Sequence, residues 1–105
     1  MKNYKYFYLL LFLFINLFFL PVKSDPIFEM GKTIFLEQGC AACHTLADAK
    51  SYGEIGPNLN QIKPDVARVI STVTNGIGVM PPYEGVLSTK EIEAVAYYVS
   101  ISAAE

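Results

Sequence analysis

Two cysteines and the only histidine of this 105-residue chain fall within five consecutive positions, Cys40-Ala41-Ala42-Cys43-His44. That concentration limits how the chain can be held together. A disulfide between Cys40 and Cys43 would close a very small loop and stabilise little on the loop-entropy argument. A structural zinc site takes four ligands, and Cys and His together offer three. A thioredoxin-type pair normally accompanies a βαβ pattern, which is absent here. A disulfide, a zinc site and a thiol redox pair are thus the weaker explanations of the motif.

The N-terminal residues read as a separate unit. Residues 1–6 carry Lys2 and Lys5 and no acid, and an apolar run from Phe7 to Leu20 is interrupted only by Asn16. Pro21-Val22-Lys23-Ser24 follow, with Val22 and Ser24 three and one before a possible cut. A basic start, a short apolar stretch and small residues before a cleavage point describe a secretory signal peptide. Residues 1–24 are expected to be that signal and residues 25–105 the working domain, located in the periplasm. A membrane span needs roughly 20 apolar residues. Extending the run from Tyr4 to Val22 nearly meets that length, which leaves an uncleaved anchor facing the periplasm as the alternative.

Residues 25–105 hold five basic and all ten acidic side chains, a formal charge of −5. Such a surface would repel nucleic-acid phosphates. It suits a protein partner with a basic docking patch, since complementary fields mainly raise association rates. It also keeps a small protein soluble. Contact with a membrane is expected only if the N-terminal segment is retained. A domain of this size has a thin core and commonly needs a staple.

The pattern along the domain is helical. Asp25-Pro26 predicts an N-cap and first-turn proline, followed by apolar Ile27, Met30, Ile34 and Leu36 at helical spacing, with Met30 facing inward and Gly39 ending the helix. Thr45 to Gln61, with Gly53, Gly56 and Pro57, reads as loop. Pro64-Asp65 predicts the start of a second helix with Val66, Val69, Ile70 and Val73 on one face, stopped by Asn75-Gly76. Pro81-Pro82 forbid a helix in the following loop. Ser88-x-x-Glu91 is a capping box with Leu87 and Ile92 as a hydrophobic staple, and Ile92, Val95, Ala96 and Val99 continue one apolar face. No alternating strand pattern is present, so the expected class is all-α with long loops that need something to pack against.

Cys-x-x-Cys-His is the attachment pattern of haem c. Residues i and i+3 share one side of a helical turn, so both thiols can face the haem edge and bond its vinyl groups. His44 follows on that turn and can reach the iron. Ala41 and Ala42 leave room for the porphyrin. A thiol redox pair and a metal site are the weaker alternatives.

With Gly56-Pro57-Asn58-Leu59, Met80-Pro81 and the helix after Ser88, residues 27–101 resemble a class I cytochrome c. The resemblance implies a cytochrome c fold, three to four helices around one covalently bound haem. It implies cofactor contacts at Cys40, Cys43, His44, Pro57 and Met80. The Pro57 carbonyl would accept the His44 Nδ1–H, and Met80 would join His44 as an iron ligand. Met30 and Met80 are the thioethers of residues 25–105, and Met80 lies 36 residues beyond His44 on a loop. Gly31 and Phe35 would cross Val95 and Tyr98. Tyr52, Asn58 and Tyr83 could bond a haem propionate or the Met80 region, or simply face solvent. The expected function is a periplasmic one-electron carrier and not an enzyme. The alternative is a haem c electron-transfer subunit of a larger periplasmic oxidoreductase. Redox partner proteins are implied: a donor dehydrogenase and an acceptor oxidase or reductase. The lysine ring with which mitochondrial members dock is missing.

Overall fold

Asp25 begins the domain by capping a helix. In the computed structural model, which describes residues 4–18 and 25–105, its Oδ1 accepts the N–H of Ile27 at 3.0 Å and of Phe28 at 3.4 Å. Pro26 occupies the first turn of the helix it opens, α2 (Pro26–Glu37). An N-cap of this kind is worth about 1 kcal/mol. Upstream lies α1 (Tyr4–Phe18). The expected cleavage-site residues, Val22 and Ser24, lie outside the described residues. Among the described residues, no helix is long and apolar enough to cross a membrane.

After α2 the chain makes a single turn, α3 (Cys40–Cys43), entered through Gly39 at φ 82°. It then forms a small hairpin, β1 (Thr45–Leu46) against β2 (Ser51–Tyr52), antiparallel with Thr45 opposite Tyr52 and Leu46 opposite Ser51. A 3₁₀ turn at Ala47–Ala49 joins the two strands. A further one-turn helix, α4 (Leu59–Ile62), is capped by Asn58, whose side chain accepts the Gln61 N–H. These elements correct the reading of residues 45–61 as loop and the absence of strands. Two-residue strands and a four-residue helix are shorter than one period of any hydrophobic pattern. Two longer helices complete the domain, α5 (Val66–Asn75) and α6 (Thr89–Ala103). Asp65 caps α5, and the capping box forms at α6 with Ser88 Oγ accepting the Glu91 N–H and Glu91 Oε1 accepting the Ser88 N–H.

The core forms where α2 crosses α6. Gly31 is buried at the crossing, where a Cβ would strike the Ala94 carbonyl oxygen and come within 2.6 Å of Tyr98 Cβ. The lack of a side chain there lets the two backbones touch. Phe35, Val95 and Tyr98 are almost wholly buried around it. The Tyr98 ring stands edge-to-face with Phe28 at 4.9 Å and Phe35 at 5.9 Å. Each such aromatic pair adds about 0.5–1.5 kcal/mol beyond area burial. The Tyr98 hydroxyl donates to Asp48 Oδ2 at 2.7 Å, and Lys32 Nζ lies 3.3 Å from the same oxygen. The 3₁₀ turn is thereby tied to both crossing helices.

The inward face of α2 differs from the expected one. Met30 is exposed, as are Ile27 and Leu36, while Gly31, Ile34 and Phe35 are buried with Phe28 packed beside them. The close crossing at Gly31 sets the helix rotation. Packing geometry at one glycine outweighs the count of apolar residues on the other faces.

Candidate functional site

One turn of helix presents the motif. Cys40 and Cys43 sit at its two ends, and the His44 N–H closes it by donating to the Cys40 carbonyl at 2.9 Å. His44 itself is extended, at φ −110° and ψ 144°. It therefore leaves the turn instead of continuing it, which corrects the expectation that it follows on the same turn. No disulfide joins Cys40 and Cys43. Burial pushes the Cys40 thiol up to about 11.

The next loop presses against this turn. The Gly56 N–H donates to the Cys43 carbonyl at 2.7 Å. A Cβ on Gly56 would stand 2.6 Å from His44 Cε1 and 2.8 Å from Nδ1. The imidazole and this backbone are thus in direct contact, and His44 Nδ1 lies 2.8 Å from the Pro57 carbonyl oxygen. A carbonyl oxygen can only accept, so Nδ1 carries the proton and Nε2 the free lone pair. Such a bond fixes the tautomer and orientation of an imidazole and raises its basicity.

A third segment brings Met80. Gly76 ends α5 at φ 69°, a conformation glycine adopts without the Cβ penalty. Its N–H donates to the Thr72 carbonyl, and the Ile77 and Met80 backbones exchange hydrogen bonds of 3.1 and 2.9 Å. Tyr83 then anchors the loop at both ends: its N–H donates to the Val73 carbonyl and its hydroxyl to the Gln38 carbonyl, both at 2.9 Å. Burial, and then the charges of Cys40 and Cys43, push the Tyr83 hydroxyl above its ordinary range.

These segments enclose one cleft of about 480 Å³, lined by Cys40, Cys43, His44, Pro57 and Met80 together. The structure thus assembles all five residues expected at the site. Phe35, Val69, Val73, Val95 and Val99 give it apolar walls. This volume falls in the range of about 300–1,000 Å³ usual for cofactor sites. A flat, mostly apolar group bearing a metal fits that lining, with two thiols at hand and an imidazole already oriented. A separate cavity between α5 and α6, about 390 Å³, is lined by Glu84 and Glu93 and by no Cys, His or Met.

Of the other candidates, Asn58 caps α4 and Tyr52 is exposed, while Tyr83 supports the Met80 loop as described. Two lining residues, Arg68 and Thr72, were not anticipated. They sit at i and i+4 beside Val69 and Val73, so the inward face of α5 was the signal that could have found them. Among the described residues, no cluster of three or more His, Cys, Asp or Glu side chains could hold a separate metal ion.

Known proteins agree with this arrangement. The family described as "Cytochrome C oxidase, cbb3-type, subunit III" matches residues 28–99. The chain is 42% identical over 86 residues to the cbb3-type cytochrome c oxidase subunit FixP of Bradyrhizobium sp. (strain ORS 278), covering 76% of this chain and 29% of that protein. It thus spans less than a third of that relative's length. It is 38% identical over 64 residues to cytochrome c6 of Leptolyngbya boryana, covering 57% of this chain and 75% of the relative. The crystal structure of the c-type cytochrome SorU from Sinorhizobium meliloti superposes with a TM-score of 0.73 at 53% identity, covering 78% of this chain and 97% of SorU. Family, fold and motif together support one covalently bound haem c and a role in electron transfer. The chain belongs to the cbb3-type subunit III family and is a small class I c-type cytochrome.

Proposed function

We propose that this cytochrome is a periplasmic one-electron carrier whose haem is held by thioethers at Cys40 and Cys43 and ligated by His44 and Met80. The observation that carries the reading is the bond from His44 Nδ1 to the Pro57 carbonyl at 2.8 Å, in a cleft that Met80 also lines. It leaves Nε2 as the ligating nitrogen. Met80 would supply a thioether from a loop held through Tyr83, whose hydroxyl donates to the Gln38 carbonyl. The haem supplies a one-electron ferrous/ferric couple. A neutral thioether ligand favours the ferrous state and raises the potential. With His44 and Met80 both holding the iron, no position would stay open for a substrate, which argues against an enzyme.

The partners are redox proteins that deliver and remove one electron. The −5 charge of residues 25–105 suits a basic docking surface. Residues 1–24 direct export and are removed after Ser24. Mass spectrometry of protein made in a haem-ligating host is expected to show Asp25 at the N-terminus. An intact leader in the membrane fraction would support the anchored form.

A second reading, an electron-transfer subunit of a larger oxidoreductase, is favoured by the family match to an oxidase subunit III and by the likeness to the oxidase subunit FixP. The carrier reading is tested by carbon monoxide binding to the reduced protein. Slow or absent binding is expected. Rapid binding would mean an open iron and would replace electron carriage with catalysis or sensing.

A further inference from the structure

Two prolines separate Met80 from Tyr83. Each fixes its own φ and carries no N–H, so Pro81 and Pro82 form a stiff arm that no backbone donor fastens. Tyr83 is the first residue beyond Met80 with a donor to offer, and it offers two. Its N–H donates to the Val73 carbonyl on α5, and its hydroxyl donates to the Gln38 carbonyl, both at 2.9 Å. Gln38 caps the end of α2, where helix carbonyls lack intrahelical partners, and it stands two residues before Cys40. Among the described residues, the other hydrogen bonds of residues 76–87 run to α5 or stay within that segment. The Tyr83 hydroxyl thus ties the Met80 segment to the half of the cleft that bears Cys40, Cys43 and His44.

The other side of the arm is packed closely. A Cβ on Gly76 would stand 2.6 Å from the Met80 carbonyl oxygen and 2.7 Å from the Pro82 nitrogen. The arm therefore rests against the end of α5, and Tyr83 fastens its far end to α2. With two rigid residues between them, a restraint at Tyr83 is passed on to Met80. The segment swings away from the motif as a unit only when the hydroxyl bond breaks.

A thioether favours ferrous iron, so the ferric protein is the state in which Met80 is held least firmly. We propose that Tyr83 is a positioning residue for the sixth ligand: its hydroxyl bond to the Gln38 carbonyl holds Met80 on ferric iron and keeps the oxidised carrier closed to small anions. This rests on Met80 ligating the haem iron. An anion that needs an open iron binds with an affinity scaled by the fraction of protein that is open. A neutral hydrogen bond shifts such an equilibrium by about 2- to 12-fold. Loss of the Tyr83 hydroxyl is therefore expected to tighten cyanide binding to the ferric protein by about that factor.

The test uses the ferric holoproteins of wild type, Tyr83→Phe, Tyr98→Phe and Met80→Ala, with cyanide affinity measured by optical titration. Tyr83→Phe keeps the ring and removes the hydroxyl. Tyr98→Phe removes a different hydroxyl, the one that donates to Asp48 at 2.7 Å away from the Met80 segment, and so reports what loss of stability alone does. Tyr83→Phe is expected to bind cyanide more tightly than wild type and less tightly than Met80→Ala, with Tyr98→Phe matching wild type. The far-red sulfur-to-iron band is recorded first. A wild type without the band overturns Met80 ligation and the tether with it. A wild type with the band, beside a Tyr83→Phe that binds cyanide no more tightly, overturns the tether alone. So does a Tyr98→Phe that tightens binding as much as Tyr83→Phe. Amide hydrogen exchange of the wild type needs no variant to fold: the Met80 N–H, which donates to the Ile77 carbonyl at 2.9 Å, is expected to be as protected as that of Tyr83. A freely exchanging Met80 amide beside a protected Tyr83 would also overturn the tether.

Discussion

Replacing Gly31 with alanine adds one methyl group at the crossing of α2 and α6. The added Cβ would strike the Ala94 carbonyl oxygen and lie 2.6 Å from Tyr98 Cβ. Neither is the free end of a flexible side chain, so relief requires the helices to move apart. Overpacking a core typically costs about 1–3 kcal/mol, and rigid backbone contact places this site at the upper end, about 3 kcal/mol. Alanine is a better helix former than glycine by about 1 kcal/mol. The net loss is about 2 kcal/mol, which lowers the melting temperature by roughly 8–16 °C for a domain of this size. Guanidinium titration of the ferric holoprotein, followed by circular dichroism, gives the difference from the shift in midpoint at constant slope. A variant as stable as wild type, or more stable, would refute the claim that close backbone approach at Gly31 sets the crossing.

Three further outcomes follow from contacts elsewhere. Gly56→Ala would place a Cβ 2.6 Å from His44 Cε1; optical spectra of the purified protein are expected to show loss of low-spin haem, and an unchanged spectrum would contradict the packing of Gly56 on the imidazole. Tyr98→Phe keeps the ring stack but removes the hydroxyl that donates to Asp48 at 2.7 Å, and is expected to cost about 1.5–3 kcal/mol in denaturant titration, the range for hydrogen bonds to charged groups. Burial, and then Asp48, raise the Tyr98 hydroxyl above its ordinary value of 10.0. The unfolded chain therefore loses this proton first, so stability is fully present below about pH 10 and declines above it. Tyr98→Phe is expected to show a shallower alkaline loss in unfolding midpoints measured from pH 9 to 11.

Much of the fold and of the site was legible because its signals are local and chemical. Cys40, Cys43 and His44 stand out by rarity, and the caps at Asp25, Asp65 and Ser88 depend on side chains a few residues from the backbone groups they satisfy. Elements shorter than a sequence period were not legible: the Thr45–Leu46 and Ser51–Tyr52 strands, and the turn at Leu59–Ile62. Nor were contacts between distant residues. The bond from Tyr98 to Asp48 spans 50 positions and that from Tyr83 to Gln38 spans 45, and no local pattern announces either. Met30 was expected to face inward because it is apolar and helically spaced. The tertiary contact at Gly31 turned its face outward. Arg68 was overlooked because α5 was read only for its apolar positions.

The account turns on Met80, and an absorption spectrum of the oxidised protein tests it most directly. A methionine sulfur bonded to ferric haem iron gives a weak charge-transfer band in the far red. Wild type is expected to show that band. Met80→Ala is expected to lose it and to bind cyanide readily. Met30→Ala, altered on the exposed face of α2, is expected to keep it. Met80→His would stay low-spin without the band and at a lower potential, because imidazole replaces the thioether. A wild-type protein without the band, or a Met80→Ala variant that retains it, would contradict His44/Met80 ligation and the electron-carrier function built on it.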